Sequence, residues 1–437
     1  MTKHSIEQFD VVIVGGGMAG ATMALALAPL DLKIAVIEVH PYQQEKTQPS
    51  FDDRCLALAW SSKEIYRVMG IWRQLEKRSD GYAAIKHIHI SDRGHMGVTR
   101  LDHKKEGVSA LGYVVESRVV GEVLIEQLKQ QENIQLFCPA TIQQLITTVN
   151  EVTIHLTTTI DKNKKSHKQE TKLSAQLLIV ADGVNSKTRE SLGIQTHQQA
   201  YAQTAIIANI ETEIHHQNVA YERFTDSGPL AILPLSRNRC SLVWTARDDQ
   251  LERLMSLSDE EFIKELQQRF GFRLGRINKV GRRASYPLVL MTIENNTLAY
   301  QNRVALIGNA AHGVHPVAGQ GFNLGMRDIS ALAELIAKEV QLHRTYDTGN
   351  KDLLNNYWQW RQADIKQVTK ITNGLIKLFS NQSTALAVLR NSGLLMTDII
   401  SPLKHSIAKE AMGSGILQGR LSKMAVGQSL HQEERHQ

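Results

Sequence analysis

Cysteine is scarce in this chain of 437 residues: Cys55, Cys138 and Cys240 are odd in number and far apart, and they form no CxxC pair. This arrangement excludes a disulfide framework and a cysteine-rich zinc cluster. It favours reduced thiols and therefore a cytoplasmic protein, with contact at the inner face of a membrane left open.

Aromatic residues are also few, at 5% of the chain, and the charge excess is small, since 50 Lys and Arg stand against 44 Asp and Glu. Nucleic-acid binding usually needs a basic surface with stacking platforms, so no nucleic-acid partner is expected. The 42% of hydrophobic residues and only 9 prolines exclude a disordered or collagen-like chain. The length predicts two or three structural units.

Long hydrophobic runs are missing apart from residues 11–30, which carry no charge. This run is long enough to span a bilayer. It opens, however, with β-branched residues and three glycines, which is typical of a buried strand and a turn. We therefore expect a soluble protein that is peripheral to a membrane at most.

The run instead begins a β-α-β unit, with strands at residues 10–14 and 32–38 and a helix at 21–28. A right-handed crossover makes the two strands parallel. Farther along, residues 200–287 alternate in a way that predicts an antiparallel sheet, and the chain from about residue 353 has helical periodicity.

A charged run at residues 161–170 lies between two strand patterns at 152–160 and 173–180. Charged and polar residues between two strands are typical of a solvated turn. We therefore predict that this run forms the tip of a hairpin.

The turn after the first strand carries Gly15, Gly17 and Gly20 in a G-x-G-x-x-G pattern. Gly15 permits the tight turn, Gly17 lets a pyrophosphate approach the backbone, and Gly20 allows the helix to pack closely. Glu38 follows at the end of the second strand, where a carboxylate can hold ribose hydroxyls. Strand, turn, helix and acid together predict a dinucleotide site, which NAD and FAD could both occupy.

Three further segments discriminate between these dinucleotides. Residues 51–61 place Arg54 before a predicted helix, residues 178–189 contain Asp182 after a strand, and residues 304–328 combine a strand, a glycine-rich loop and a helix start. In this order and spacing, the four segments resemble those of the FAD-dependent aromatic-ring monooxygenases.

The resemblance extends over roughly residues 9–390, and some segments indicate a smaller group within this family. The segments Glu222-Arg-Phe-Thr and Phe270-Gly-Phe-Arg-Leu-Gly are similar to those of the ubiquinone-biosynthesis hydroxylases, and among them to the branch that acts on 2-polyprenyl-6-methoxyphenols. Most of the wider family has Gly-Asp where this chain has Gly308-Asn309. An Asn side chain can still hydrogen-bond a ribityl hydroxyl, and this branch tends to have Asn.

The resemblance implies an α/β fold in which a Rossmann-like FAD-binding domain with a parallel sheet is interrupted by an antiparallel-sheet substrate domain and followed by C-terminal helices. The implied boundaries are 1–80, 112–195 and 290–345 for the discontinuous FAD-binding domain, 81–111 and 196–289 for the substrate domain, and 346–437 for the helical region. The residues expected to bind FAD are Gly15, Gly17, Met18, Ala19, Gly20, Glu38, Arg54, Arg118, Asp182, Gly183, Gly308, Asn309, Gly321, Phe322 and Asn323.

The loop from Pro316 to Asn323 is the expected catalytic segment. Pro316, Gly319, Gln320 and Gly321 are expected to face the flavin and to act by position. Gly319 and Gly321 leave room for O2 because they carry no Cβ atom. Backbone N–H groups at the following helix start can stabilise the flavin when it becomes anionic.

The implied reaction uses NAD(P)H or another electron donor to reduce FAD, and O2 to form a flavin C4a-hydroperoxide that hydroxylates the ring para to the phenol oxygen. The protein positions the ring and excludes water, and ring orientation rather than a dedicated general base is expected to set the site of attack. The implied substrate is a polyprenylated methoxyphenol. A ubiquinone-biosynthesis complex and peripheral membrane contact through the C-terminal helices are further expected partners.

Several alternatives stay open at this point. The chain could hydroxylate another ring position or another aromatic compound, or it could be a catalytically idle flavin-binding scaffold. An NAD-dependent dehydrogenase is disfavoured by the segments around Asp182 and Asn309. His312 and His315 could suggest a metal, but no third ligand accompanies them, so no metal site is expected.

Overall fold

The structure is a computed structural model that describes residues 6–42, 54–78, 81–162, 165–293, 299, 302–314, 319–379, 384–415 and 419–430. Over these residues the strands are β1 (Glu7–Val14), β2 (Ile34–Ile37), β3 (Cys55–Ala59), β4 (Ala83–Ile85), β5 (His87–Asp92), β6 (Val98–Asp102), β7 (Gly112–Glu116), β8 (Ile134–Phe137), β9 (Ala140–Thr147), β10 (Val152–Lys162), β11 (Lys165–Val180), β12 (Thr196–Thr212), β13 (Val219–Thr225), β14 (Gly228–Pro234), β15 (Arg239–Arg247), β16 (Ile277–Val280), β17 (Ala284–Ile293), β18 (Val304–Leu306) and β19 (His312–Gly313). The helices are α1 (Met18–Leu27), α2 (Trp60–Val68), α3 (Ile71–Glu76), α4 (Ser117–Leu128), α5 (Lys187–Ser191), α6 (Asp248–Ser256), α7 (Asp259–Phe270), α8 (Gln320–Leu342), α9 (Lys351–Phe379), α10 (Thr384–Ile399) and α11 (Ser401–Ala411).

The first sheet has the strand order β8-β2-β1-β11-β10-β9, and β18 also pairs with β11. Strands β1, β2, β8, β11 and β18 are parallel, which confirms the predicted β-α-β unit, whereas β9 and β10 add an antiparallel edge. The crossover helix α1 begins at Met18, three residues before the predicted start, so Gly20 lies inside its first turn.

Both faces of this sheet are buried, which explains the unbroken apolar run of β1. Val11 and Ile13 pack against α1, α4 and α8 on one face, while Val12 and Val14 pack in a second cluster on the other face. Successive side chains of a strand point to opposite faces, so a strand covered on both sides is hydrophobic throughout.

The second sheet is antiparallel over most of its length and has the order β19-β17-β12-β15-β14-β13-β5-β6, with β16 beside β12. Helices α6 and α7 cover one face, where Trp244 packs with Phe262 and Leu266. A small third sheet has the order β3-β7-β4, and the strands β5 and β6 of the second sheet come between β4 and β7 in the sequence. The α/β fold class with parallel and antiparallel sheets and C-terminal helices is confirmed, whereas the domain boundaries stay a prediction.

The charged run at 161–170 lies at the turn end of the antiparallel β10–β11 hairpin, as predicted, but the strands are longer than predicted, because β10 extends to Lys162 and β11 begins at Lys165. The two strands of a long hairpin stabilise each other by cross-strand pairing, and the pattern of either strand alone does not show how far this pairing extends. One local prediction was wrong. Arg54 precedes the strand β3 rather than a helix, and α2 starts only at Trp60.

Candidate active site

The carboxyl end of β1 turns into α1 through the glycine-rich segment. Gly15 has a φ of +100°, and a Cβ there would lie 2.6 Å from the carbonyl oxygen of Ala181. A Cβ on Gly20 would lie 1.8 Å from the carbonyl oxygen of Gly15. Close packing therefore requires both glycines. Gly17 has a φ of −67°, which any residue adopts, so its backbone conformation does not require glycine.

The start of α1 has the character of an anion site. Met18 and Ala19 are its first residues, and their N–H groups have no partner within the helix. The first turn carries no acidic side chain, so nothing in it competes for the positive end of the helix dipole. A pyrophosphate is the kind of group that such a helix start binds.

Glu38 lies one residue beyond β2 and is only 7% exposed. Its carboxylate accepts hydrogen bonds from the backbone N–H of Gly16 at 2.7 Å and of His40 at 2.8 Å. These contacts fix the carboxylate beside the glycine turn. Each oxygen keeps a free lone pair, so Glu38 can still accept hydrogen bonds from ribose hydroxyls.

Tyr42, which the sequence reading did not single out, also contacts the glycine turn. Its hydroxyl donates to the carbonyl oxygen of Gly16 at 2.9 Å. Burial and the neighbouring Glu38 raise the pKa of Tyr42 well above its ordinary value, so the phenol stays protonated and remains a donor. Tyr42 therefore adds a second side chain that holds the turn.

The segments around Asp182 and Asn309 meet at the same edge of the first sheet. Val180 of β11 pairs with Leu306 of β18, and Asp182 and Gly308 each follow two residues later. Gly183 adopts a φ of +92° and Gly308 a φ of +57°, so the backbone turns sharply at both places. Ligands of open α/β sheets bind outside the carboxyl ends of such strands.

Buried Arg189 ties these two turns together. Its guanidinium donates to the carbonyl oxygen of Ala310 at 2.9 Å and to that of Val184 at 2.8 Å. Asp182 accepts a hydrogen bond from the N–H of Thr188 at 3.2 Å through one carboxylate oxygen. Its other oxygen, Oδ1, is buried and has no hydrogen-bond partner among the described residues. The side chain of Asn309 is exposed.

The helix α8 starts at Gln320, directly after Gly319, whose φ is +64°. A Cβ on Gly319 would lie 2.9 Å from the Cβ of Ala57, so close approach to β3 requires glycine here. Gly321 differs, because its Cβ would make only an ordinary contact of 3.8 Å with Val314. Pro316, the other residue expected to be catalytic, lies outside the described residues.

Asn323 anchors this helix start to β3 and α2. Its side-chain oxygen accepts from the N–H of Ala59 and from the hydroxyl of Ser62, both at 2.8 Å. Its amide nitrogen donates to the carbonyl oxygens of Ala57 and Gly319, also at 2.8 Å. The side chain thus uses its full hydrogen-bonding capacity inside the protein. A cofactor contact from Gly321, Phe322 or Asn323 would therefore come from their backbone N–H groups at the helix start.

Arg54 and Arg118 lie at one end of the small third sheet, where the N–H of Ser117 donates to the carbonyl oxygen of Arg54 at 2.8 Å. The guanidinium of Arg54 lies over the ring of Tyr286, 4.6 Å from its centroid, and lines a cavity. Arg118 is exposed and pairs with Glu122 at 2.7 Å. The two arginines have neighbouring backbones but different surroundings.

The cavity has a volume of about 960 Å³ and a mostly apolar wall. It lies between the start of α8, the small third sheet, the open face of the second sheet and the C-terminal helices. Gly319, Gln320 and Asn323 line it from the start of α8, and Ala231 and Leu233 line it from β14. The sequence predicts a pocket in this place, between the glycine-rich loop and the sheet that contains β14.

Glu222 of β13 is the acidic group in the sheet wall of this cavity. Burial raises its pKa to about 7. In the sequence, Glu222 belongs to a segment similar to that of the ubiquinone-biosynthesis hydroxylases, and no motif indicates a role for its side chain. The sequence offered one signal for it: Ala220, Glu222 and Phe224 lie on the same face of a strand, so an acidic residue shares a face with two apolar ones.

A buried charge network surrounds Asp328, which lies on α8. Asp328 accepts hydrogen bonds from the Nε2 of His312 at 2.6 Å, the Nε of Arg361 at 2.7 Å and the N–H of Gly308 at 2.9 Å. Burial acts to raise the pKa of Asp328, but the charges of His312 and Arg361 outweigh it and lower the pKa. Arg361 also donates to Asp364 at 2.6 Å.

His312 therefore has a structural partner, and His315 lies outside the described residues. Within the described part of the chain, no three His, Cys, Asp or Glu side chains form a group that could hold a metal ion. The same part of the chain contains no helix long and apolar enough to cross a membrane.

Comparison with known proteins agrees with this geometry. The profile of the family described as FAD binding domain matches residues 8–372. The chain is 35% identical to the ubiquinone hydroxylase UbiL of Rhodospirillum rubrum over 414 residues, which cover 95% of this chain and 92% of that protein. It is 29% identical to the mitochondrial ubiquinone biosynthesis monooxygenase COQ6 of Homo sapiens, with 91% of each chain covered.

Solved structures show the same fold at lower sequence identity. The p-nitrophenol 4-monooxygenase PnpA of Pseudomonas putida superposes with a TM-score of 0.73 at 17% identity, covering 95% of this chain and all of that one. The probable FAD-dependent monooxygenase pqsL of Pseudomonas aeruginosa superposes with a TM-score of 0.69 at 17% identity, covering 89% of this chain and all of that one.

Proposed function

The chain belongs to the FAD-binding-domain family, and we propose that it hydroxylates a polyprenylated methoxyphenol, para to the phenol oxygen, in ubiquinone biosynthesis. Its relatives include a ubiquinone hydroxylase and a ubiquinone biosynthesis monooxygenase, and they support an FAD-dependent hydroxylase of ubiquinone biosynthesis. The proposal adds the substrate class and the ring position.

The residues at the carboxyl edge of the first sheet fit FAD. The buried Oδ1 of Asp182, which has no hydrogen-bond partner among the residues that the structure describes, is an acceptor that a cofactor hydroxyl would satisfy. Glu38 is held beside the glycine turn with lone pairs free for ribose, and the start of α1 offers N–H groups for the pyrophosphate. When bound, FAD supplies the redox chemistry, taking electrons from NAD(P)H or another donor and delivering an oxygen atom from O2.

The single observation that carries the substrate class is the size and character of the cavity. At about 960 Å³ it lies near the upper end of the roughly 300–1,000 Å³ of small-molecule sites. Its wall is built largely from Ala, Val, Ile and Leu, which suits a prenyl tail. The start of α8 lines the same cavity, so an aromatic ring bound near Gly319 would lie next to residues that are expected to face the flavin.

The ring position follows from the chemistry of the substrate. A phenol oxygen makes the ortho and para carbons of its ring electron-rich. In a 2-polyprenyl-6-methoxyphenol both ortho carbons carry substituents, so the para carbon is the open target. The protein contributes by fixing the ring and by keeping water out of an apolar site.

We test the ring position by isotopic labelling. Protein loaded with FAD is reduced with dithionite and mixed with 18O2 and a short-chain 2-prenyl-6-methoxyphenol. The product is expected to carry one 18O atom at the para carbon. Label at another carbon, or no labelled product, would contradict the proposal.

We also propose peripheral membrane contact through α10 and α11. These helices form part of the cavity wall, through residues such as Leu394, Thr397 and Ile407. Their outer side exposes several large apolar residues, and Ile399 is 78% exposed. These residues are Leu395, Met396, Ile399, Ile400 and Leu403. An apolar patch on the wall of an apolar cavity suits transfer of a lipid-soluble tail from a bilayer.

Vesicle flotation tests this contact. The double variant with Ile399→Asp and Leu403→Asp is expected to lose binding to phosphatidylglycerol-containing vesicles. Ile146→Asp is the matched control, since Ile146 is exposed on β9, away from the patch. Equal binding by all three proteins would contradict the assignment, as would release from membranes by detergent but not by salt or alkali.

A further inference from the structure

Glu222 occupies an unusual place for an acidic residue. In the second sheet its direct partners are Ile90 on β5 and Ala231 on β14. The same register row continues to Thr99 beyond Ile90, and to Val243 and then Ile207 beyond Ala231. All of these residues line the cavity. One carboxylate therefore interrupts an otherwise apolar or hydroxyl-bearing row in the cavity wall.

The carboxylate of Glu222 has no hydrogen-bond or ion-pair partner among the residues that the structure describes. The nearby acid Glu116, by contrast, pairs with Arg239 at 3.1 Å. An unpaired carboxylate in an apolar wall costs folding free energy and returns none through contacts within the protein. The position is therefore poorly explained by the fold alone, which points to a ligand in the cavity.

The other titratable groups that line the cavity come from several elements around Glu222. They are Tyr221 on its own strand, Arg54 and Cys55 at β3, Tyr286 on β17 and Glu410 on α11. The adjacent strands β5 and β14 contribute only the apolar residues Ile88, Ile90, Ala231 and Leu233 to the wall. Burial alone raises the pKa of Glu222 to about 7, with no contribution from these groups.

We propose that Glu222 anchors the aromatic ring of the substrate: its carboxylate accepts a hydrogen bond from the phenol hydroxyl and takes that proton during hydroxylation. This inference rests on the proposed function. The O–H bond of the phenol breaks, its electron pair stays on the ring oxygen, and the proton forms a carboxylic acid on Glu222. Negative charge on the ring oxygen makes the para carbon more electron-rich, and the step needs no oxidant beyond the O2 of the hydroxylation.

Glu222 is well suited to this role because a general base works best with a pKa near the operating pH. In the deprotonated form it is an acceptor only, so it selects a ring that carries a free hydroxyl over one that is methylated at that oxygen. Because the strands on either side of Glu222 present apolar side chains, its carboxylate is the polar group of this wall that can fix the position of the ring. A fixed oxygen then determines which ring carbon faces the start of α8.

The test compares the wild type with Glu222→Gln in FAD-loaded protein. Single turnovers are started by reducing the flavin with dithionite and adding O2 and a short-chain 2-prenyl-6-methoxyphenol. The wild-type hydroxylation rate is expected to fall about tenfold for each pH unit below pH 7. The Gln variant is expected to be roughly 10² slower or more at pH 8 and to lack this pH dependence. Glu211→Gln is the matched control, because Glu211 is exposed on β12 of the same sheet.

A binding assay separates this inference from the proposed function. Perturbation of the flavin absorbance is titrated with the phenol and with its methyl ether. The wild type is expected to bind the phenol at least tenfold more tightly at pH 8, and the Gln variant to bind both equally. If the wild type hydroxylates the phenol and the Gln variant keeps both its pH profile and its discrimination, Glu222 is not the anchor, although the proposed function stands.

If the wild type does not hydroxylate the phenol at all, the proposed function fails, and the binding titration alone decides on Glu222. If the Gln variant does not retain FAD, the wild-type titration still tests the assignment. The preference for the phenol over its methyl ether must then disappear below about pH 6, and a preference independent of pH overturns the inference.

Discussion

Removing the charge of Glu222 should make the protein more stable at alkaline pH. The pKa of Glu222 lies at about 7 in the folded protein, against an ordinary value of 4.5. The folded state therefore holds the proton more tightly than the unfolded chain, so stability is greatest below pH 4.5 and is lost as the pH rises through 7. A difference of roughly 2.5 pH units, at about 1.36 kcal/mol each, amounts to about 3 kcal/mol.

The variant Glu222→Gln does not titrate, so it escapes this loss. Its free energy of unfolding should exceed that of the wild type by about 3 kcal/mol more at pH 8.5 than at pH 4.5. Urea unfolding followed by tryptophan fluorescence measures this, since Trp244 is buried in the same sheet. The exposed control Glu211→Gln should leave the pH dependence unchanged. A wild type and a Gln variant with parallel pH dependences would refute the reasoning.

Three further substitutions probe other parts of the site. Gly17→Val should fold but lose FAD, because its φ of −67° accepts a side chain that would stand where the pyrophosphate approaches; full flavin content by absorbance would contradict this. Asp328→Asn should lower the free energy of unfolding by about 3–5 kcal/mol, since His312 and Arg361 lose a buried counter-charge, and a change below about 1 kcal/mol in urea unfolding would argue against the network. Ala231→Leu should fill the cavity beside Glu222 and slow hydroxylation at least tenfold with FAD retained, whereas an unchanged rate would place the ring elsewhere.

Local sequence patterns were sufficient to predict the nucleotide-binding part of the fold. The continuous apolar strand β1 and the glycine turn after it are set by short-range rules, so their positions were predictable. The start of α1 was predicted three residues late because glycine lowers helix propensity. Close packing of Gly20 against the turn outweighs that cost in the structure.

The candidate site was harder to predict where it depends on residues distant in sequence. Glu222 becomes significant only when β5, β13 and β14 lie side by side, which no local pattern shows. Asn323 stays a predicted cofactor-binding residue, through its backbone N–H, and its side chain joins α8 to β3. The sequence did not show this second role, because the partners on β3 lie 264 and 266 residues away. The role of His312 also depends on a residue outside its own segment, because its partner Asp328 lies on the following helix α8.

The proposed hydroxylation of a 2-polyprenyl-6-methoxyphenol at the carbon para to its oxygen can be tested in cells that lack the protein, by mass spectrometry of extracted quinone precursors. We expect the 2-polyprenyl-6-methoxyphenol to accumulate in these cells and to disappear when the wild-type chain is restored. Accumulation of a precursor blocked at another ring position, or an unchanged precursor profile, would contradict it.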